Sequence, residues 1–454
     1  MNLDAAAGRG HNPDMKPREL AETICRTLRA AGRQAYLVGG CVRDLVLDRE
    51  PADYDVATDA RPERVLELFP GSLSVGARFG VILVVEGEAQ VEVATFRSDI
   101  GYSDGRHPDR VEYSRTPEED VRRRDFTING LMLDPESGAV LDFVGGRDDI
   151  RAGLVRAIGE PALRFREDKL RMVRGVRFAA RFGYAIEPAT LAAIQAAAAQ
   201  INQVSPERLR EELTKLLTEG AARRGFELLE QTRLLPEVLP EVARMQGVPQ
   251  PPQYHPEGDV WIHTRMMLEK LPAGAPPVLA WAVLLHDVGK PPTFMPAEQT
   301  GDRIRFDGHA EIGARMAAEI CRRLRFSTAD AEQIEALVAH HLRFKDVFGM
   351  RPATLKRFVR LPNFDQHLEL HRLDCLCSHG ALDAYEFVVR FLRETPPEQV
   401  RPARLVSGED LKQMGLQPGP RFKEILESVE EAQLEGRLKE RDEALAFVRS
   451  KFVT

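Results

Sequence analysis

Asp53 and Asp55 stand two residues apart in the run Asp53-Tyr54-Asp55-Val56-Ala57-Thr58. On a strand that spacing turns both carboxylates to one face. Two anions so close repel unless a cation lies between them, and Mg²⁺, hard and oxygen-seeking, suits the pair. Upstream lies Gly39-Gly40-Cys41-Val42-Arg43-Asp44, between an apolar run and a short helical pattern. Two glycines there bare backbone N–H groups and leave room for phosphate oxygens, and the following helix N-terminus adds positive potential. Arg43, in the first turn, can grip a phosphate bidentately. Together these residues describe a triphosphate cradle beside a metal strand, suited to activating an attacking hydroxyl and stabilising a departing pyrophosphate. Glu92, between Val91 and Val93, is the candidate third acid, although the same alternation fits a solvent-facing strand position.

Two further groups bear on a nucleotide. In Arg122-Arg123-Arg124-Asp125-Phe126-Thr127-Ile128-Asn129, Arg124 is expected to neutralise the triphosphate, and Asp125 and Asn129 to hydrogen-bond a ribose 2′-hydroxyl. The run from Glu167 to Phe182 reads as one helix, with Asp168 and Arg171 as neighbours three residues apart. A solvated salt bridge is the plain reading of such a pair. The functional reading is base selection: a carboxylate accepts from an exocyclic amine while a guanidinium donates to a bare ring nitrogen. Cytosine and adenine satisfy both; uracil and guanine leave buried groups unpaired. Arg174 and Arg177 would extend a positive strip toward phosphates.

The elements that must position these residues follow from periodicity and punctuation. Residues 18–31, 41–47 and 62–69 read as helices, 35–38 and 53–58 as strands, and 81–85 with 90–96 as a hairpin. The fold expected is α+β: a small mixed-sheet head over 18–150, then an all-α neck and body over 151–250, with helices at 188–200, 206–218 and 223–231. A Pro-rich break at 248–256 marks a boundary. A second all-α domain is expected over 255–390, since residues 257–380 hold eight of the eleven histidines, and a small helical region over 396–454. Residues 1–17 read as a disordered tail without the apolar core of a signal peptide.

Within the histidine-rich region, His286-Asp287 follows the apolar run 279–285, and an adjacent His and Asp at the end of a buried helix can turn to one metal. His263 lies upstream; His309, His340 or His341, and Asp374 lie downstream.

Net charge is −7, so any polyanion must be bound by a local basic path. No segment is long and apolar enough to span a membrane. Five cysteines in no zinc-ligand spacing fit a reducing cytoplasm.

The head pattern, Gly39-Gly40-x-Val42-Arg43-Asp44 with Asp53-x-Asp55 and Thr58, resembles the class II nucleotidyltransferases, the family of bacterial CCA-adding enzymes and poly(A) polymerases. Arg123-Arg124-Asp125 with Asn129 resembles the family's ribose-reading motif, Glu167-Asp168-x-x-Arg171 its base-reading motif, and the run 205–213 a motif assigned to helix positioning. The resemblance covers about residues 33–215 and implies Mg²⁺, CTP and ATP, and tRNA as partners. The stretch 75–81, with Phe79-Gly80 before an apolar strand, and an end that mixes acid and base evenly favour CCA addition. Poly(A) addition, or addition of CC or A alone, is the alternative; a silent RNA-binding protein sits poorly with Asp53, Asp55 and Arg43. The partial activities depend on the turn-rich loop near 100–110. Residues 255–385 resemble the HD phosphohydrolases. That likeness implies His263, His286, Asp287 and Asp374 as basic metal ligands, with His309 and His340 as the extra ligands of two-metal members. It implies phosphoester hydrolysis at a divalent transition metal such as Ni, Mn, Co or Fe.

Overall fold

The computed structural model describes residues 15–76, 80–100 and 110–453. The tail before residue 15, part of the 75–81 stretch and most of the 100–110 loop lie outside the described residues. The chain divides into two units, Met1–Pro240 and Glu241–Thr454.

The first unit opens with α1 (Pro17–Ala30), whose Leu20, Ile24 and Leu28 repeat every four residues and are buried. β1 (Ala35–Val38) leads through the diglycine into α2 (Gly40–Val46), and β2 (Asp55–Thr58) and α3 (Pro62–Leu68) follow. Asp53 therefore precedes the strand that was expected to contain it. β3 (Leu73–Gly76), β4 (Val81–Glu86) and β5 (Ala89–Thr95) come next. The β4–β5 hairpin pairs Glu86 with Ala89 and turns on Gly87, whose φ is 60°. Along β5, burial alternates residue by residue, with Val91 and Val93 inward and Gln90 and Glu92 outward. Among the described residues, β6 (Arg97–Ile100) pairs only with β7 (Arg110–Tyr113). After β8 (Leu131–Leu133) and β9 (Val140–Asp142) the main sheet has the order β3-β4-β5-β2-β1-β8-β9. It is mixed: β2 and β5 run parallel in a register that sets Asp55 beside Glu92, while the other neighbours are antiparallel.

The rest of this unit is nearly all helical, as the fold class anticipates. The long helix expected from 167 is broken. One helix, Pro161–Glu167, ends before Asp168, whose backbone is extended (φ −144°), and a second, Leu170–Phe182, begins two residues later. Helices Pro188–Ala197, Pro206–Thr218 and Ala222–Gln231 follow, close to expectation. A two-residue parallel pair, Leu154–Val155 with Ala185–Ile186, carried no sequence signal.

In the second unit the Pro-rich run is not a linker. Val260 N donates to Val248 O and Gln250 N to Gly258 O, and Gln250 is buried. These bonds tie the run to helix Val260–Lys270, so the division falls at 240/241. Helices Val260–Lys270, Pro277–Leu285, His309–Arg323, Thr328–His340 and Phe364–Cys377 build the histidine region. A separate core of Val406, Leu411, Ile425, Val429 and Val448 holds the C-terminal helices together. Among the described residues no helix is long and apolar enough to cross a membrane. All five cysteines are buried and unpaired.

Candidate active site and metal centre

The diglycine turn requires glycine. Gly39 has φ 75° and ψ −131°, and a Cβ there would meet Arg124 Nη1 at 3.2 Å. Arg124 is a fixed cation over the turn, because its Nη2 lies 2.9 Å from the fully buried Asp120, which also holds Arg123 at 2.7 Å. Beside the turn, half-buried Asp55 faces exposed Glu92 across the β2–β5 register, and exposed Asp53 stands two residues earlier, outside the strand. Burial first, then Glu92 and Asp53, push the Asp55 carboxyl up to about 6 against the pull of Arg124. Two hard oxygen donors, Glu92 and Asp53, crowd the Asp55 carboxylate, and donors of this kind suit a divalent cation such as Mg²⁺.

Arg43 does not project toward a phosphate. It is buried, with Nε and Nη2 on Asp44 Oδ1 at 2.9 and 2.8 Å and Nη1 on Asn129 Oδ1 at 2.6 Å. Its guanidinium lies 4.5 Å from the Phe182 ring. Arg43 thus braces α2 from beneath. The pair expected at the ribose is also engaged inward: Asp125 accepts from Phe126 N and Asn129 Nδ2 through Oδ1 and from Arg174 through Oδ2. Burial raises the Asp125 carboxyl, but Arg174, Arg171 and Asn129 outweigh it and hold the group at about 2. Nor do Arg174 and Arg177 form an open strip. Arg177 is buried between Glu212 at 2.7 Å and Glu219 at 3.0 Å, and Arg174 spans Asp125 and Glu212. Glu212 lies in the run already read as helix positioning. The acids that neutralise these arginines are 35 or more residues away, out of reach of a local pattern.

Asp168 and Arg171 share neither a helix nor a salt bridge. The helix break leaves Asp168 to accept from Leu170 N at 3.1 Å and from Arg208 at 2.7 and 3.2 Å. Arg171 donates to Glu167 at 2.7 Å and to the carbonyls of Arg123 and Arg164 at 3.0 and 3.3 Å. Each is therefore pinned by other partners. A lone pair on Asp168 Oδ2 and the Arg171 Nε–H remain for a third party.

The histidine cluster is drawn together more tightly. His263, His286 and Asp287 form one group with ligand atoms within 4.8 Å of one another; Asp287, His309 and His341 form a second that shares Asp287. His286, His309 and His341 each turn Nδ1 to the carbonyl three residues earlier, at 2.9, 2.8 and 2.7 Å. That bond makes Nδ1 the donor and leaves Nε2 as a bare acceptor. The buried Nε2 atoms of His286 and His309 have no hydrogen-bond partner, although Asp287 oxygens stand 3.1 and 3.6 Å away. Ring centroids of 5.4–5.5 Å for His263–His286, His286–His341 and His309–His341 suit rings converging on shared ions. Burial and its histidine neighbours push His341 down to about 3, the neutral form a metal needs. Asp374 completes the group, with Oδ1 3.1 Å from His263 Nε2. His340 does not: it ends its helix half-buried beside His367, ring centroids 6.0 Å apart, and the start of the next helical turn carries His341 inward instead. Sequence reasoning missed Glu257, 2.8 Å from His263 Nδ1, and His255, 2.9 Å from Glu257, because both lie at the edge of the Pro-rich run. It also missed Lys290, 2.7 Å from Asp287 and 2.5 Å from Gln250.

Residues 35–156 match the poly A polymerase head domain and residues 258–363 the HD domain. A CCA-adding enzyme of Levilactobacillus brevis is 32% identical over 430 residues, 94% of this chain and 96% of that protein. The chain belongs to the CCA-adding enzyme family. Another member, from Bacillus cytotoxicus, is 29% identical over 95% of this chain and 98% of its own. Among solved structures, the CCA-adding enzyme of Bacillus stearothermophilus in complex with CTP superposes with a TM-score of 0.73 at 27% identity, covering 96% of this chain and 98% of that one. The Thermotoga maritima CCA-adding enzyme complexed with tRNA shares the fold, with a TM-score of 0.57 at 19% identity and 96% of each chain covered. This chain is thus an RNA nucleotidyltransferase that also carries an HD domain. Both domain types generally use divalent metals, and the histidine clusters are candidate metal-binding groups.

Proposed function

We propose that this chain adds C and A to the 3′ end of tRNA, using CTP and ATP, at the carboxylates of the head. The observation that carries the reading is the β2–β5 register, which sets Asp55 against Glu92 beside the diglycine turn and the fixed Arg124. Asp53, Asp55 and Glu92 would hold Mg²⁺, which when bound eases attack of the terminal 3′-hydroxyl on the α-phosphorus and departure of pyrophosphate. Arg124 faces the developing charge on the phosphates. Asp168 accepts from the base's exocyclic amine and Arg171 donates to its ring nitrogen, a pattern that C and A share. The relatives that are CCA-adding enzymes, and the solved one bound to CTP, support this choice over poly(A) addition. The test is incubation of truncated tRNA with labelled CTP, ATP and Mg²⁺. Full extension that stops when CTP is omitted supports the reading; ATP-only tails overturn it.

A second activity, phosphoester hydrolysis at the HD centre, is favoured by the unpartnered Nε2 atoms of His286 and His309. His263, His286, His309, His341, Asp287 and Asp374 would hold divalent metal, with Asp287 shared by both ligand groups. Imidazole donors suit a transition metal such as Ni, Mn, Co or Fe, which supplies an activated water. Lys290 is placed to steady a phosphoryl oxygen. On an RNA 3′-phosphate, water's oxygen bonds to phosphorus and the 3′ O–P bond breaks. The 3′ oxygen keeps the electron pair and takes water's proton, and inorganic phosphate leaves. Clearing damaged 3′ ends in this way would prepare them for extension. Asp287→Ala should abolish metal-dependent hydrolysis of 3′-phosphates and leave nucleotide addition unchanged; persistent hydrolysis overturns the assignment.

A further inference from the structure

The segment that delivers His341 to the HD centre continues as a 3₁₀ helix, His341–Gly349. With three residues per turn, such a helix has three faces. His341, Phe344 and Val347 form the buried one. Leu342, Lys345 and Phe348 form a second, along which exposure rises until Phe348 is 60% exposed, resting on Phe387 with ring centroids 5.1 Å apart. Arg343, Asp346 and Gly349 form the third.

These two outer faces join two concavities. The first, of about 710 Å³, holds the HD ligands Asp287, His309, His341 and Asp374 and reaches outward to Arg343, Lys345 and Asp346. The second, of about 570 Å³, is lined by Lys345, Asp346, Gly349, Met350, Arg351 and Thr354. Lys345 and Asp346 belong to both, so one path leads from the metal centre along the 3₁₀ helix to Arg351. Asp346 lines its outer part with Lys345 and Arg351, while the first concavity carries Asp307 and Glu311 beside Lys290, Arg303 and Arg305. Arg343 lies over the Phe358 ring, and neither it nor Lys345 has an ion-pair partner among the described residues. Arg351 reaches Glu431 at 3.2 Å with its side chain 72% exposed, a surface pair that an incoming phosphate can replace. A cationic groove beside an exposed aromatic ring is what a single-stranded nucleic acid uses, its backbone on the charges and a base on the ring.

We propose that this groove receives the single-stranded RNA upstream of the phosphoester at the HD centre, so that the site acts on an RNA 3′ end in preference to a free nucleotide. The proposal rests on the hydrolase reading above and adds its substrate class. A mononucleotide occupies the first concavity alone; a chain also reaches Phe348 and Arg351.

The test uses the full chain loaded with Ni²⁺ or Mn²⁺, a 3′-phosphorylated hexaribonucleotide and the matching nucleoside 3′-monophosphate. KM for the hexamer should be at least about tenfold lower, and log affinity should fall with log salt by about 0.7 for each phosphate held. Phe348→Ala and Arg351→Glu should each raise the hexamer's KM, by about tenfold for the loss of one stacked base, and leave mononucleotide hydrolysis and nucleotide addition unchanged. Fluorescence anisotropy of a labelled hexamer should show the same losses. Equal KM for both substrates, or variants that bind the hexamer as the parent does, would overturn the groove. So would a change in sedimentation mass of the Phe348→Ala variant without a change in RNA binding, which would make the patch a contact between copies of this chain. Failure to hydrolyse either substrate would overturn the hydrolase reading and the groove with it.

Discussion

The two candidate metal-binding regions of this chain are built on opposite principles. In the head, exposed Glu92 and Asp53 stand beside Asp55, which is pushed up to about 6 by burial and by those charges. In the HD centre, buried imidazoles are locked by backbone carbonyls, so their free nitrogens face one another before any ion arrives. The first arrangement repels itself by its own charge and, on the function proposed above, would be completed by a cation arriving with a triphosphate. The second would be a standing socket for a resident ion. The contrast teaches that a shared need for divalent metal can be met by tolerated repulsion or by prior alignment, and the choice follows whether the metal travels with the substrate.

The comparison breaks most visibly at Asp55. Asp55→Ala should lower nucleotide incorporation at least about a thousandfold while HD metal content, read by mass spectrometry of the protein's metals, stays unchanged. Coupled loss of both would mean the centres are not independent. Next in size is base choice. Asp168→Ala should reduce the preference for CTP and ATP over UTP and GTP by roughly 100-fold in kcat/KM, with Mg²⁺ dependence unaltered. An equal loss for all four nucleotides would reduce Asp168 to a strut for Arg208.

The socket is sharpened by Glu257→Gln. Removing the carboxylate that orients His263 should weaken transition-metal binding by about 10–100-fold in calorimetry and leave addition untouched. Smallest is a pH effect confined to the head. Because the Asp55 pKa is raised, its carboxylate is lost as pH falls through about 6. The Mg²⁺ concentration for half-maximal addition should then climb by up to about tenfold per pH unit below that point and be flat above it. The same shift has the opposite sign for the metal-free fold: Asp55's contribution to stability is present in acid and fades as pH rises through about 6. A flat Mg²⁺ requirement from pH 5 to 8 would remove the repulsion argument.

Much of this was legible because it is local. Alternation marked β5, where Glu92, left open as a metal-site acid or a solvent-facing position, is exposed, and Gly87 marked its hairpin. Pro206 and the apolar spacing after it marked helix Pro206–Thr218 to the residue. The CCA-adding family and the HD domain were legible from short runs that carry chemistry. What escaped depends on distant partners. No local pattern says that Arg177 will be claimed by Glu212, Arg43 by Asn129, or Asp168 by Arg208. Arginines that look free in sequence are drawn inward wherever folding supplies a carboxylate, because a buried guanidinium needs its donors satisfied. His340 and His341 are adjacent, so only the place where one helical turn ends and a tighter one begins decides which faces Asp287. Glu257 was hidden by its prolines, which read as a linker and act as a bracket.

The central claim is that Asp53, Asp55 and Glu92 hold a divalent cation under the triphosphate beside Gly39 and Gly40. Crystals soaked with CTP and Mn²⁺ test it directly through the anomalous signal of manganese. The account predicts a peak at about 2.0–2.3 Å from Asp53 and Asp55 oxygens, bridging to the phosphates at the diglycine turn. Density for CTP at that turn with manganese absent from those carboxylates would contradict it.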